Sequence, residues 1–307
     1  MGMTMSDIQI SVVIPAYNYA RSLRRAAESV IVQLDALSEL LIIDDGSTDE
    51  TPQVIEELAR DYPKQFRSIR QVNAGLAAVR NKGIKLARGD YLVFLDADDE
   101  MVEGALVRLH EHIGGNPDTR MVIGGHFSIH DSGRMDEHRP DPLPTLPLDR
   151  VRAYLIDKKV RVSNGACAMH RDVFAVGLYP ERFRNAEDIP VFAQVFARFA
   201  CSNVQAPLAK IYKHDDSLRH NLTYGMQIGE QLITEVFATG RLPESMQVLR
   251  KPFTAQRYLS LFRTFMIAGD ARPAKDFYKK ALQADWRAVF RWTYTRKALK
   301  LWLGSEK

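Results

Sequence analysis

Three carboxylates follow a short apolar segment in the first third of the chain. The segment, residues 91–95, leads directly into Asp96, Asp98 and Asp99. Such a run is typical of a strand that is buried on both faces, and open α/β sheets bind ligands at the carboxyl ends of their strands. The residue types and their spacing therefore indicate a polar site at the end of a central strand.

Carboxylates this close repel one another, by about 4 kcal/mol at ~4 Å and an effective dielectric of about 20. The cluster therefore favours a bound cation, and ligands that are all oxygen favour Mg²⁺ or Mn²⁺. Taken alone, the same string is equally compatible with a solvated acidic turn.

The composition limits the class of protein. The chain has 307 residues, is 46% hydrophobic and contains two cysteines, Cys167 and Cys201, without a CxxC motif. This argues against a disulfide scaffold, a zinc ribbon or a redox site and fits a reducing compartment. Residues 1–9 lack the features of a signal peptide, and no apolar run reaches the ~18 residues of a membrane span. A cytoplasmic location is expected.

The net charge of +4 conceals an asymmetry. Residues 251–307 carry 13 basic and 4 acidic side chains, whereas residues 1–250 are acidic overall. A basic tail on an acidic body suggests an anionic partner for the tail.

The elements that would position the carboxylates alternate along the chain. Apolar runs predict strands at residues 10–14, 40–43, 66–71, 91–95, 121–125 and 208–212. Helical periodicity predicts helices at 23–34, 47–60, 75–87, 102–113, 149–156 and 188–199, with Ser47 as the cap of the second. Residues 131–147 contain four prolines and predict a surface loop. The alternation predicts an α/β fold with a mostly parallel sheet and helices on both faces, followed by a helical tail.

Five motifs occur in an order and at spacings that resemble a known family. They are VVIPAYN at 12–18, IIDDGSTD at 42–49, NAG at 73–75, VRNKG at 79–83 and GDYLVFLDADD at 89–99. Together they resemble family 2 glycosyltransferases, the inverting enzymes with the GT-A fold. The resemblance is dense over residues 10–130 and looser to about residue 220.

The resemblance implies a domain organisation. Residues 1–220 would form a GT-A catalytic domain. This is the nucleotide-diphospho-sugar transferase fold, which is built on a Rossmann-like, mostly parallel sheet. Residues 10–130 would form its nucleotide-binding half and 131–220 its acceptor-side half. Residues 221–307 would form a helical C-terminal extension.

On the donor side, the resemblance places the nucleotide base against Tyr17, beside Pro15 and Asn18, since a base gains ~1–3 kcal/mol by stacking on an aromatic face. Asp45 would accept a hydrogen bond from a base ring N–H, as in uracil or guanine. A turn-forming role is the alternative for either Asp44 or Asp45, and loop packing is the alternative for Tyr17.

Two further donor-side residues are implied. Arg80 would pair with Asp96 or with a phosphate, although a structural ion pair explains it almost equally well. Gly165, in an Asn-Gly-Ala turn, would let the backbone approach the donor closely.

The resemblance also divides the acidic cluster. Strand alternation puts Asp96 and Asp98 on one side. Asp98 would hold Mn²⁺ or Mg²⁺ against the diphosphate, and Asp96 would meet the ribose or the metal's hydration shell. Asp99 would be a supporting or acceptor-side residue. His214 would touch the metal or the diphosphate, although a lone histidine is about as often structural.

The late pair Glu187–Asp188 would supply the general base. Asp188 would take the proton from an acceptor hydroxyl that attacks the anomeric carbon in line. The alternative is a helix cap two residues before Pro190.

By this resemblance, the protein is expected to be an inverting glycosyltransferase. It would move a sugar from a nucleotide-diphosphate donor, with a UDP-sugar favoured. The acceptor would be a saccharide or lipid-linked glycan in surface-polysaccharide synthesis, such as lipopolysaccharide or capsule. A sugar-nucleotide pyrophosphorylase or a dehydrogenase would need a glycine-rich loop where this chain has Pro15-Ala-Tyr-Asn. The joint presence of Asp45, Asp96, Asp98 and Asp188 argues against a non-catalytic binding or docking module. No nucleic-acid partner is expected.

The tail contains all three tryptophans, Trp286, Trp292 and Trp302, among basic residues. Tryptophan with lysine and arginine is typical of contact with an anionic membrane surface, which would place the protein peripherally at the inner face of the plasma membrane. The charges scatter around the helix, so packing of the tail on the catalytic body is the alternative.

Overall fold

The computed structural model describes residues 8–213, 229 and 231–303. This part of the chain contains a nine-stranded sheet. Its strands are β1 Ile10–Ala16, β2 Ser38–Asp44, β3 Arg67–Arg70, β4 Tyr91–Phe94, β5 Glu100–Met101, β6 Met121–His130, β7 Met135–His138, β8 Cys167–His170 and β9 Cys201–Lys213.

The order of the strands brings the predicted motifs together. It runs β3-β2-β1-β4-β8-β6-β9-β5, with β7 paired to β6 outside this path. Strands β3, β2, β1 and β4 are parallel, β8 is antiparallel to both β4 and β6, and β9 is parallel to β6. Because β2, β1 and β4 are parallel neighbours, the segments that follow Asp44, Ala16 and Phe94 leave the same edge of the sheet.

Helices cover both faces of the sheet. They are α1 Leu23–Ile31, α2 Thr51–Asp61, α3 Leu76–Leu86, α4 Ala105–Gly115, α5 Pro147–Arg152 and α6 Asp188–Arg198. Alternate residues of β1 and β4 belong to different cores: Val13 and Phe94 pack with α3 and α6, whereas Val12 and Val93 pack with α1, α2 and α4. A strand apolar on both faces is the arrangement that the unbroken runs predict.

The C-terminal region packs in two parts. Residues 231–236 are helical, and Leu232, Val236 and Phe253 join the core on the α6 side of the sheet. Three later helices, α7 Arg250–Ile267, α8 Ala271–Ala284 and α9 Trp292–Leu303, enclose a separate core that includes Phe262 and Tyr278. The boundary proposed at residue 220 stays a prediction.

Three predicted elements differ from the structure. The predicted loop at 131–147 contains β7, a four-residue strand with no buried side chain, so no apolar run marks it. The last strand is longer than 208–212. Helix α2 begins at Thr51 with Glu50 as its cap residue, so Ser47 is not the cap; the Ser47 hydroxyl instead accepts a hydrogen bond from the Asn18 N–H at 2.9 Å.

In the described part of the chain, no helix is both long and apolar enough to cross a membrane.

Candidate active site

The loop after β1 is braced against the loop after β2. Asn18 adopts φ 60°, a left-handed conformation that asparagine tolerates. Its side-chain oxygen accepts the backbone N–H of Thr48 at 2.8 Å, and its own N–H donates to Ser47. The Asn18 amide is thus used in holding the loop, while the neighbouring Tyr17 ring is 44% exposed and open to stacking.

The two aspartates at the end of β2 make different hydrogen bonds. Asp44 shapes the turn, since its Oδ1 accepts the N–H of Ser47 at 2.9 Å. Asp45 is buried and accepts the backbone N–H groups of Ala74 at 3.0 Å and Gly75 at 2.8 Å. Asp45 therefore ties the 73–75 motif to the end of β2. Its contact with a base stays a prediction.

At Gly75 the backbone of this loop passes close to the side chain of Arg184. It has φ +90°, and a Cβ added there would lie 2.6 Å from Nη1 of Arg184. Arg184 therefore lies over the loop that Asp45 holds. No sequence pattern predicts this contact, because Arg184 is in an irregular segment distant in the chain.

The acidic cluster follows β4 but does not continue the strand. β4 ends at Phe94, so strand alternation does not extend to Asp96 and Asp98. Both residues are half-buried, whereas Asp99 is buried and its Oδ1 accepts the N–H of Tyr212 at 2.9 Å. Burial, together with the charges of Asp96 and Asp98, raises the pKa of Asp99 to about 8.

Sequence reasoning missed two side chains around this cluster. Burial and then the charges of Asp98, Asp96 and Asp99 raise the pKa of Tyr19. Arg25 donates to the backbone oxygen of Asp98 at 2.7 Å and lies 3.8 Å from the centre of the Tyr212 ring. The position of Tyr19 directly after the VVIPAYN motif was the available signal.

Arg80 connects the acidic cluster with the predicted base. It is buried on α3, and it donates from Nη2 to Asp96 Oδ1 at 3.1 Å and from Nη1 to Glu187 Oε1 at 2.6 Å. Burial alone would lower the pKa of Arg80, but the charges of Asp96 and Glu187 outweigh it and raise that pKa. The pairing with Asp96 was predicted, and the pairing with Glu187 was not.

Asp188 is the first residue of α6 and is half-buried. Glu187 occupies the cap position and makes no side-chain capping hydrogen bond, so Asp188 is not the helix cap that the alternative interpretation required. Burial raises the pKa of Glu187, Arg80 acts against this, and Asp188 adds to it. Ala186 precedes the pair at φ 61°, a conformation that is uncommon for alanine and clusters at functional sites.

Gly165 brings the backbone close to the end of β4. It lies in the short 3-10 turn Asn164–Ala166, and a Cβ added to it would lie 3.2 Å from Leu95 Cδ1. A larger residue would push the turn away from the start of the acidic cluster. Its contact with the donor stays a prediction.

The donor set has the chemistry of a Mg²⁺ or Mn²⁺ site, since it offers only carboxylate oxygens. Within the described residues, no three His, Cys, Asp or Glu side chains converge in a way that could hold a metal. Such ions are usually held by one or two carboxylates together with substrate phosphates and water, which Asp98 and Asp96 fit. His214, the third predicted ligand, lies outside the described residues.

The architecture defines the fold class of the protein. The fold is shared by S. aureus TarS residues 1–349, solved in complex with UDP-GlcNAc, with TM-score 0.67 and 17% identity over 96% of this chain and 89% of that chain. It is also shared by the mannosyltransferase PcManGT from Pyrobaculum calidifontis, solved with GDP-Man and Mn²⁺, with TM-score 0.58 and 15% identity over 98% and 88% of the two chains. The protein has the GT-A fold, as predicted.

The family model described as Glycosyl transferase family 2 matches residues 11–177, more than half of the chain, and the chain belongs to this family. The predicted family is confirmed. Curated relatives include the amylovoran biosynthesis glycosyltransferase AmsB of Erwinia amylovora, 32% identical over 60% of this chain and 62% of the relative. Others are the putative glycosyltransferase EpsH of Bacillus subtilis, 41% identical over 51% and 45%, and the uncharacterized glycosyltransferase YibD of Escherichia coli, 42% identical over 32% and 28%. The chain thus spans about a third or less of the length of the first curated relatives it matches.

Proposed function

We infer that the protein transfers a sugar from a nucleotide-diphosphate donor to a hydroxyl of a glycan, with inversion at the anomeric carbon. One observation carries the proposal: buried Arg80 bridges Asp96, in the acidic cluster, and Glu187, beside Asp188. A single side chain thereby sets the distance between the carboxylates suited to a donor and the carboxylate suited to a base. Such fixed placement of reacting groups is a main source of rate in enzymes.

On the donor side, Tyr17 stacks on the base, Pro15 and Asn18 fix its loop, and Asp45 accepts the base N–H. A UDP-sugar is the favoured donor. Asp98, with Asp96, would hold Mn²⁺ or Mg²⁺, which the oxygen-only donor set supports. When bound, the cation would stabilise the negative charge of the departing nucleoside diphosphate.

On the acceptor side, Asp188 takes the proton of the attacking hydroxyl as the bond to the anomeric carbon forms. Glu187 acts through Arg80 as a positioning residue, since its carboxylate is already engaged at 2.6 Å. Gly165 keeps the backbone close to the donor sugar.

The acceptor is proposed to be a surface polysaccharide or a lipid-linked precursor of one. The name of the relative AmsB, from amylovoran biosynthesis, supports this assignment.

Peripheral contact with the anionic inner face of the plasma membrane is part of the same proposal. Trp286 and Trp292 are 67% and 65% exposed, and Phe290, which packs edge-on against Trp286, is also exposed. Trp302 instead packs against Tyr278 within the C-terminal helices. The aromatic surface formed by Trp286, Phe290 and Trp292 fits insertion into lipid headgroups.

Thermal-shift measurements with UDP-, GDP- and TDP-sugars, each with and without Mn²⁺, test the donor assignment. We expect the largest stabilisation from a UDP-sugar with Mn²⁺, together with slow metal-dependent hydrolysis of that sugar nucleotide. If no nucleoside diphosphate stabilised the protein, the assignment of the site would be wrong.

A further inference from the structure

A group of basic side chains gathers around the turn at 153–157, which packs on α6, the helix that begins at Asp188. Lys158 follows a π-helical turn at Ala153–Asp157, Arg257 projects from α7, and Arg291 precedes α9. Helix α7 packs against the turn at 153–157. Elements distant in the sequence therefore bring three cations to one place.

Lys158 is exposed and can therefore be reached by a ligand. Its ammonium group lies 5.9 Å from the centre of the Tyr154 ring, which packs on Phe192, one turn beyond Asp188. Desolvation and then the charge of Arg257 lower the pKa of Lys158 to about 8, while Asp188 acts in the opposite direction.

One buried donor of the Arg257 guanidinium lacks a partner. Its Nε is buried without a hydrogen-bond acceptor, and burial lowers the pKa of the group. Arg291 is paired with Asp157 at 3.2 Å. Among residues 8–213, 229 and 231–303, no carboxylate lies within ion-pair distance of Lys158 or Arg257. Uncompensated charges in a desolvated site favour binding of a counter-ion.

Lys158 is also the residue that ends the π-helical turn. It has φ 56°, the left-handed conformation that is common at the C-terminal end of a helix and that glycine adopts without strain.

We propose that Lys158 and Arg257 bind an anionic group of the acceptor, a phosphate or a carboxylate, next to Asp188, so that the acceptor glycan is itself acidic. The inference rests on the proposed function, because it requires the acceptor to lie at Asp188. Charge-assisted hydrogen bonds from two cations would hold the acceptor in one orientation.

Binding of three probes tests the proposal. Glucose 6-phosphate, glucuronate and glucose are titrated into the full chain by NMR, with saturating UDP and Mg²⁺ to occupy the donor site. We expect at least one anionic probe to bind about tenfold more tightly than glucose. Preference for glucose 6-phosphate assigns the group as a phosphate, and preference for glucuronate assigns it as a carboxylate.

Variants separate the site from the fold. Lys158→Gly relieves the left-handed strain, so its unfolding temperature should be unchanged or higher while the preference for the anionic probe is lost. Arg257→Met should lose the preference as well, and Arg257→Lys should recover part of it. Lys159→Met and Arg263→Met remove neighbouring exposed charges and should keep the preference.

Equal affinity for all three probes in the wild type, or full preference in Lys158→Gly, would overturn the inference. Binding of UDP is the separate control. If UDP binds but the anionic preference is absent, only the acceptor inference fails. If UDP does not bind, the proposed function fails.

Discussion

Arg80 and Glu187 form a buried ion pair, 2.6 Å from Nη1 to Oε1, that ties α3 to the first turn of α6. The other arm of the same guanidinium holds Asp96 at 3.1 Å. The planar fork of arginine can serve two carboxylates at once, which a lysine ammonium does with much less directional control. The pair therefore couples the two halves of the proposed reaction through one rigid group.

Removing this arginine should affect both stability and activity. Arg80→Met leaves Glu187 buried without its partner, and we expect a loss of roughly 3–5 kcal/mol in the free energy of unfolding. The double variant Arg80→Met/Glu187→Gln should recover most of this stability but not the transfer rate, because Asp96 still lacks its partner. Urea unfolding and a sugar-transfer assay check both expectations. Arg134→Met, which breaks an exposed pair with Asp136, should cost under about 1 kcal/mol.

If Asp188 is the general base, replacing it should lower kcat and leave the free energy of unfolding nearly unchanged. Asp188→Asn should lower kcat by about 10²–10⁴-fold, while the free energy of unfolding changes by no more than ~1 kcal/mol, the value of a carboxylate near a helix N-terminus. Asp149→Asn removes an exposed first-turn carboxylate of α5 and serves as the matched control. Wild-type kcat in Asp188→Asn would remove Asp188 from the mechanism.

Sequence patterns predicted the strands that are marked by strong apolar runs. They did not predict the features that depend on tertiary packing. β1, β2 and β4 are unbroken apolar runs, so their ends and the motifs that follow them could be placed. β7 has four residues and no buried side chain, so no apolar run in the sequence marks it as a strand. The contact between Arg80 and Glu187 depends on how α3 and α6 pack, and nothing local in either segment encodes it.

The convergence of Lys158 and Arg257 was equally unpredictable. Lys158 follows a π-helical turn within a segment that the sequence predicts to be helical, and Arg257 is one of many basic residues in the tail. Their common surroundings appear only when α7 packs on the turn at 153–157.

The metal assignment predicts a change in cation requirement. Asp98→Asn should raise the Mn²⁺ concentration that gives half-maximal activity by at least about tenfold, and chelation by EDTA should abolish transfer by the wild type. The exposed Asp118→Asn is the control for general loss of charge. Unaltered Mn²⁺ dependence in Asp98→Asn would reassign the ligand within the cluster.

The aromatic surface of the tail predicts binding to lipid. Trp286→Ala/Trp292→Ala should reduce binding to phosphatidylglycerol vesicles several-fold in a sedimentation assay, with little change in unfolding temperature, because both rings are exposed. Val72→Ala, an exposed apolar change on the catalytic body, should leave binding unchanged. Trp302→Ala should lower stability instead, because this ring packs on Tyr278. Equal binding by wild type and the double variant would show that the tail serves another purpose.

The anion site predicts a dependence on pH. Lys158 faces the charges of Arg257, Arg291, Asp157 and Asp188 and lies over Tyr154. Burial lowers its pKa from the ordinary 10.5 to about 8, so Lys158 is charged below pH 8 and loses its charge as the pH rises through that value. Affinity for glucuronate should therefore be highest near pH 7 and fall toward pH 9.

The pH dependence of glucuronate affinity can be assigned to Lys158. Glucuronate keeps the same charge over this range, so a change in affinity reports on the protein. A bound anion favours the protonated ammonium, which moves the midpoint of the loss above pH 8. Lys158→Arg should hold its affinity at pH 9, since a guanidinium stays charged there, and Lys158→Met should be weak throughout. A pH profile that is the same for the wild type and Lys158→Arg would assign the titration to another group.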